Sequence, residues 1–547
     1  MEYFFENIHF HLLKNYILKD PICDWYNIQE HITPGLYEKD QPTLYQKHIL
    51  KESDDYKTRF LQKIKDFSEL DIPLETCINE TKEKIEDDFP LILRPTILDK
   101  YNIYTNCDIM IKYSLFKKLF NKISNLPFHL LCKNDDYLLI VLTYNTLEFK
   151  IDLKDVVNEP LIVYKKCKLY AFRNALHDFC GKQYKCFIIG KEYSYKKTIL
   201  PKKEFICKPD LNESIHEIFV KSVQWIDFLK NNFQIMSIKP KPTHHELYPN
   251  MNYKESSWEK EKAILAENIK ETTLVWNISY EERCELLKKD IYCWDDPRLL
   301  GLLKESKKKD IQERMIHMNQ QNEILLYPRK TISYDFKKLL ERSENDIYFD
   351  VESFLSFDER QNLFSDYIPE KKPILAILGI IHNTNFYDFT INEYSLNSEK
   401  KIVRNFINYL WFMKRKCKNK IKIYHWGNAE YNYMKYIKKT YNLSLPEYEL
   451  INVLDYFRME PIIVQGIFKF GLKSVGKALY NHNLIETTWE ENDSGLDSMI
   501  KFKEICEKND KNIPLKRFIE IDEIIEYNRI DCQVLFEIVE VLRNKYG

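Results

Sequence analysis

Ile347-Tyr348-Phe349-Asp350-Val351-Glu352-Ser353 is the stretch whose reading decides the fold of this 547-residue chain. Side chains of an extended strand alternate between faces, so Asp350 and Glu352 point one way while Phe349 and Val351 point the other and can be buried. Two parallel carboxylates repel each other, which costs free energy unless a positive charge sits between them, and a divalent cation is the usual partner. The plain alternative is a solvated strand end.

Downstream of this D-x-E, two apolar runs, Pro373 to Ile381 and Phe386 to Tyr394, are joined by His382-Asn383-Thr384-Asn385, which has turn chemistry. The pattern predicts a three-stranded meander whose first strand carries the acids. Helical spacing follows over Lys401 to Trp411, then a short strand over Ile421 to Tyr424 and a helix over Asn428 to Ile437 with Glu430 in its first turn. The last element, Phe518 to Val541, has Ile521, Ile524, Ile525, Ile530, Val534, Leu535 and Ile538 along one side. It also carries Tyr527 and Asp531, whose spacing of four places phenol and carboxylate on one helical face.

These pieces together resemble the RNase H-like exonuclease superfamily of DEDD type, in its YxxxD branch, and most closely the YprB-type nucleases of the RecB family. The first motif is Phe349-Asp350-Val351-Glu352, the second is similar to Tyr424-His425-Trp426-Gly427-Asn428-Ala429-Glu430, and the third to Tyr527-Asn528-Arg529-Ile530-Asp531. Between them, Gly471-Leu472-Lys473-Ser474-Val475 is similar to the S/G-L-K segment that precedes a short helix in this family. Glu430 stands where Asp is commoner, a substitution the YprB-like group tolerates. The resemblance covers about residues 341 to 547, and its specificity lies in four motifs in the right order.

Phosphodiester hydrolysis needs a water made nucleophilic near neutral pH and neutralisation of charge on the attacking and leaving oxygens. Two hard cations about 3.5 to 4 Å apart supply both, and carboxylate oxygens suit Mg²⁺ or Mn²⁺. The resemblance implies that Asp350 bridges two such ions, that Glu352 and Asp531 complete the first site, and that Glu430 holds the second ion through its water shell. Tyr527 orients the attacking water, because a phenol with a reference pKa near 10 positions a proton better than it removes one. Nearby, His425 reads as a hydrogen-bonded structural residue, Asp455 as either an extra acid at the sheet edge or a cap of the next turn, and Lys473 as either a phosphate contact or a solvated side chain.

The length predicts two or three domains, and 44% hydrophobic residues suffice for a core in each. A formal net charge of −1 with 30% charged residues means that any nucleic-acid surface is local, because no basic excess spreads over the chain. Glycine is scarce, while Lys, Ile, Asn and Tyr are abundant, a bias expected of an AT-rich coding sequence such as that of a large DNA virus or a protist. The 13 cysteines include no C-x-x-C pair, which excludes zinc and iron–sulfur spacing and predicts reduced thiols in an intracellular protein, cytoplasmic or nuclear. No run approaches the roughly 18 apolar residues that a membrane span needs.

Residues 1 to 235 read as a separate α/β unit: a helix with Tyr56, Phe60, Ile64 and Phe67 as its stripe, a strand at Asp108 to Ile111, a buried strand at Tyr137 to Leu142, a helix at Ala171 to Phe179, a strand from Cys186 ending at Gly190, and a long helix at Ile215 to Leu229. That order resembles the PD-(D/E)XK nuclease fold of RecB and Cas4 type. The strand that carries an acid and a lysine in active relatives has Val141 and Thr143 in those places, and Lys57 stands near the acid expected on the first helix. Asp108 alone cannot hold a catalytic Mg²⁺, so this domain is expected to keep the fold and to have lost the chemistry. A catalytic domain there would have to use Glu148-Phe149-Lys150 instead.

Pro240, Pro242 and Pro249 mark a boundary, with His244 and His245 beside them, and residues 236 to 340 read as a linker and small helical connector containing the basic run Lys304 to Lys309. The expectation is an α/β protein: a degenerate PD-(D/E)XK-like domain (1–235), a connector (236–340) and an RNase H-like mixed sheet flanked by helices (341–547). Its expected activity is metal-dependent hydrolysis of nucleic acid, as a 3′-to-5′ exonuclease using two Mg²⁺ or Mn²⁺ ions. The competing expectation is a non-catalytic nucleic-acid-binding or scaffold protein with two inert nuclease folds.

Overall fold

The computed structural model describes residues 8–254, 257–306, 308–321, 325–328, 334–354, 374–417, 419–459, 461–490, 495–509 and 513–547. It is mixed α/β and divides into two compact units, with the boundary between Glu271 and Thr272. No helix among the described residues is long and apolar enough to cross a membrane.

In the first unit, helix α1 (Leu44–Ser68) is followed by a five-stranded sheet of β1 (Leu91–Leu93), β2 (Ile109–Lys112), β3 (Tyr137–Glu148), β4 (Lys185–Tyr195) and β5 (Thr198–Leu200), arranged in that order. All neighbours are antiparallel except β3 and β4, which are parallel and joined through helix α2 (Pro160–Cys180). Strand β3 reads as one apolar run because both faces are covered: Leu138, Ile140 and Leu142 pack with Tyr56, Phe60 and Ile64 of α1, and Leu139 and Val141 pack with Leu169 and Phe172 of α2. The helical stripe differs from expectation at one place, since Leu61 is buried whereas Phe67, in the last turn of α1, is 56% exposed. Gly190 does not end β4 either. It sits opposite a bulge in β3, where a Cβ would come 2.7 Å from Leu147, so a side chain is excluded by the close approach of the two strands.

The stretch 236–340 divides between the two units. Met236, Ile238, Leu247, Trp258 and Leu265 share a core with Trp25, Tyr26 and Trp225 of helix α3 (Glu213–Asn232). Beyond Thr272, by contrast, Val275, Ile278, Ile291 and Trp294 pack around Ile316 in the second unit. The basic run there is largely paired: Lys304 with Glu282 at 3.1 Å, Lys308 with Asn277 at 3.0 Å, and Lys309 with Glu305, while Lys307 lies outside the described residues.

The second unit is built on β6 (Asp346–Phe354), β7 (Ile374–His382), β8 (Asn385–Thr390), β9 (Ile421–His425) and β10 (Tyr448–Asn452), in the spatial order β8-β7-β6-β9-β10. The first three strands are antiparallel, and β9 and β10 continue the sheet in parallel with β6. Asn383 and Thr384 both adopt positive φ, the geometry a two-residue hairpin requires; Pro373 lies outside the described residues. Ile347 and Phe349 pack on helix α4 (Leu396–Lys416) through Val403 and Phe406, with the rings of Phe349 and Phe406 5.5 Å apart. Tyr348 faces the other side, against helix α8 (Ile519–Tyr546), where Leu535, Ile538 and Val539 fill the core. The alternation read from the sequence therefore holds along β6.

Arg543 fixes α8 to the sheet. Its guanidinium donates to Asp346 at 2.6 Å, to the hydroxyl of Tyr348 at 2.8 Å and to that of Tyr424 at 2.9 Å, tying the helix to β6 and β9. Arg543 is 6% exposed and Asp346 7% exposed, so removing one partner leaves a charge stranded. Arg543→Ala is expected to lower the unfolding free energy by about 3–5 kcal/mol, read from the urea midpoint.

Candidate metal centre

The acid-bearing face of β6 and the middle of α8 meet at one point. Asp350, Glu352 and Asp531 each offer a ligand atom, and these atoms lie within 4.8 Å of one another. The strand supplies two of them because alternate residues share a face, and the helix supplies the third because Asp531 falls on the side that covers the sheet.

Glycine makes this approach feasible. Gly379 of β7 pairs with Asp350, and a Cβ there would come 1.7 Å from the side-chain oxygen of Asn528 on α8. Through the space left by that missing side chain, Asn528 donates to Asp350 at 2.7 Å. Trp489, buried between helices α6 (Leu472–Asn481) and α7 (Gly495–Lys508) in the chain, donates its indole N–H to Asp531 at 2.8 Å. Tyr527 also hydrogen-bonds Asp531, one turn along the same helix.

Glu430 lies in the first turn of α5 (Ala429–Tyr441), 5% exposed, outside the three-carboxylate group but near enough for its charge to act on all three. Among the described residues its Oε2 has no hydrogen-bond partner, and it sits 3.6 Å from Nδ1 of His425, itself buried at the end of β9. The loop that starts α5 is held by Asn452 of β10, whose side chain accepts from the Gly427 amide at 2.9 Å, with Gly427 at positive φ.

Electrostatics follow from burial and like charge. Burial first, then the charges of Asp531, Glu430 and Glu352, raise Asp350 well above the ordinary carboxylate range. Glu352 is pushed up to about 8 by burial and by Asp531 and Glu430, with Lys473 opposing. Asp531 is pushed up to about 7, chiefly by burial, against the pull of Trp489, Lys473 and Tyr527. Lys473, in the first turn of α6, is half-buried rather than solvated, with its ammonium 4.7 Å from the Tyr527 ring centre and 5.6 Å from that of Trp489. An all-oxygen, acid-rich donor set, with one carboxylate oxygen that lacks a partner among the described residues, suits a hard divalent cation.

Of the residues singled out in the sequence, Asp350, Glu352 and Asp531 come together, Glu430 and Tyr527 border them, and His425 faces Glu430. Asp455 is exposed in the first turn of the helix Val453–Met459 and does not join the group. Asn528, Trp489 and Asn452 escaped sequence reasoning. The first had a usable signal, since Asn528 lies three residues before Asp531 and so shares its face, and the lone glycine inside the apolar run of β7 announces a close approach. In the first unit, Asp108 takes its hydrogen bond from the backbone N–H of Leu142 at 2.6 Å, and Lys150 is drawn to Asp155 at 2.6 Å.

No family model and no curated protein matches this chain.

The raised proton affinities have a definite sign. A group that binds its proton more tightly when folded contributes stability that is complete below about pH 4 and is lost as the pH rises through its folded value. For this site the loss runs through about 7 and about 8, where Asp531 and Glu352 ionise. A divalent cation needs the ionised carboxylates, so its binding strengthens over the same window; the Mn²⁺-induced rise in melting midpoint is expected to be larger at about pH 8.5 than at about pH 6, and absent in Asp350→Ala. Equal shifts at both pH values would contradict the assignment. Gly379→Ala is expected to cost about 1–3 kcal/mol by displacing Asn528, measured by urea denaturation.

Proposed function

We propose that the second unit is a metal-dependent nuclease of RNase H-like DEDDy type, acting on nucleic acid as a 3′-to-5′ exonuclease. The observation that carries this reading is the convergence of Asp350, Glu352 and Asp531 within 4.8 Å, from a strand and a helix far apart in the chain. The strand order, with an acid-bearing strand leading an antiparallel meander and two parallel strands beyond it, supports the same fold.

Asp350, Glu352 and Asp531 would hold one Mg²⁺ or Mn²⁺, and Glu430, whose Oε2 has no partner among the described residues, would hold a second through its water shell. Bound there, the ions would lower the pKa of a water and neutralise charge on the leaving oxygen. Asn528 and Trp489 fix the orientation of the carboxylates they hydrogen-bond, and Tyr527 presents its hydroxyl beside Asp531 to position the water. Lys473 adds positive charge next to the same acids, where a phosphate would sit.

The first unit, read as a degenerate PD-(D/E)XK-like domain, is proposed to be catalytically inert. Continuing the β2–β3 register puts Val141 opposite Asp108, so the neighbouring strand supplies no second carboxylate. All 13 cysteines are free, which supports a reducing, intracellular setting.

The test is one assay of labelled DNA and RNA, single- and double-stranded, with Mg²⁺ and with Mn²⁺. Asp350→Ala and Asp531→Ala are each expected to reduce cleavage to background. Tyr527→Phe is expected to lower the rate by about 10–100-fold. Metal-dependent cleavage that survives Asp350→Ala would overturn the proposal, and oligonucleotide binding without cleavage by the wild type would favour the non-catalytic binder.

A further inference from the structure

The first unit gathers positive charge at one end of its sheet. Strand β2 runs antiparallel to β3, and β4 runs parallel to it, so the start of β2, residues 142–144 of β3 and Gly190-Lys191 of β4 lie at the same end. Helix α2 begins after β3 and returns to β4, which puts its first half at this end too, and there it carries Lys165 and Lys168, three residues apart and so on one face. Helix α1 adds Lys57, next to Tyr56, whose hydroxyl donates to the carbonyl of Gly190 at 2.9 Å.

One carboxylate faces these three ammonium groups. Asp108 is 5% exposed, and although burial works to raise it, Lys168, Lys57 and Lys165 together hold it below the ordinary carboxylate value. The lysines remain in excess: burial, Lys57 and Lys168 push Lys165 down to about 7, and burial leads the lowering of Lys168. Lys166, between them, shows how this chain treats a lysine meant for the interior, since it is fully buried and paired with Asp155 at 2.7 Å and Asn158 at 2.8 Å. Lys57, Lys165 and Lys168 are half-buried, and among the described residues no carboxylate lies within 4 Å of any of their ammonium groups. A lone carboxylate ringed by cations repels a metal ion and leaves room for an anion.

Two more lysines extend the patch along the rim. Lys191 donates to the hydroxyl of Tyr144 at 2.6 Å and lies over that ring, and Lys202 donates to the hydroxyl of Tyr56 at 3.2 Å. Glu52 reaches the same rim through Tyr144 at 3.5 Å. A single phosphate would engage three converging lysines. Five, spread over helices, a strand and the loop after β5, match a run of phosphates.

We propose that this end of the first unit's sheet binds the phosphodiester backbone of a nucleic-acid strand, with Lys57, Lys165 and Lys168 around one phosphate and Lys191 and Lys202 along its neighbours. The backbone oxyanions relieve the mutual repulsion of the lysines and replace the water they have lost. This site does not depend on hydrolysis in the second unit.

The test uses the full chain in EDTA, so that no cleavage intervenes, and the fluorescence anisotropy of single-stranded DNA and RNA oligonucleotides over a range of NaCl concentrations. The double variant Lys165→Ala/Lys168→Ala is expected to bind at least about tenfold more weakly, with a log–log salt slope shallower by about 1.4, roughly 0.7 for each lost single-strand phosphate contact. Lys165→Arg/Lys168→Arg should keep the wild-type affinity, which separates lost charge from lost folding, and Lys230→Ala, on the exposed side of α3, should change nothing. Wild-type affinity and slope in the alanine double variant would overturn the proposal. So would inorganic phosphate or AMP binding as tightly as the oligonucleotide, which would make this a small-anion site.

Discussion

Mutual repulsion among buried carboxylates is the constraint around which the second unit is built. Burial together with the charges of their acidic neighbours, Glu430 included, raises the proton affinity of Asp350, Glu352 and Asp531, and nothing about four acids packed together favours folding on its own. The surrounding structure holds them there. Apolar packing of α8 over the sheet supplies the bulk of the free energy, and neutral donors orient the acids without discharging them. A site whose acids were each neutralised by Arg or Lys would be more stable and would have no use for a cation.

The docking of α8 depends on features at two scales. Near the acids, the absence of one side chain at Gly379 brings the helix close enough for Asn528 to reach across to β6. Further along, Arg543 reads the register of helix against sheet through three partners on two strands. A slip of one turn would break every one of these contacts together, so the position of Asp531 is set far more tightly than its own hydrogen bonds would set it.

Much of this was legible in the sequence, because it rests on periodicity. The two-residue spacing of Asp350 and Glu352, the turn chemistry at Asn383-Thr384 and the four-residue spacing of Tyr527 and Asp531 are local signals, and the structure obeys them. What escaped was tertiary. Trp489 looks like any core aromatic until its N–H is seen on Asp531, and Arg543 looks like an ordinary helix-end cation until its three partners converge. Phe67 continued a helical stripe that the core no longer covered at the last turn of α1. The segment 236–340 carried linker-like prolines, yet Trp258 and Leu247 bury into the first unit, because a boundary follows packing rather than proline content.

Placing Asn528, Asp531 and Arg543 all on α8 also orders events in time. During synthesis a nascent chain that extends only as far as β10 already carries Asp350, Glu352 and Glu430, yet the side chains that complete and lock the cluster have still to be made. Until α8 emerges and docks, Asp350 and Glu352 share a strand face without the third carboxylate that Asp531 supplies, and a product that stops short of α8 lacks the three-carboxylate group.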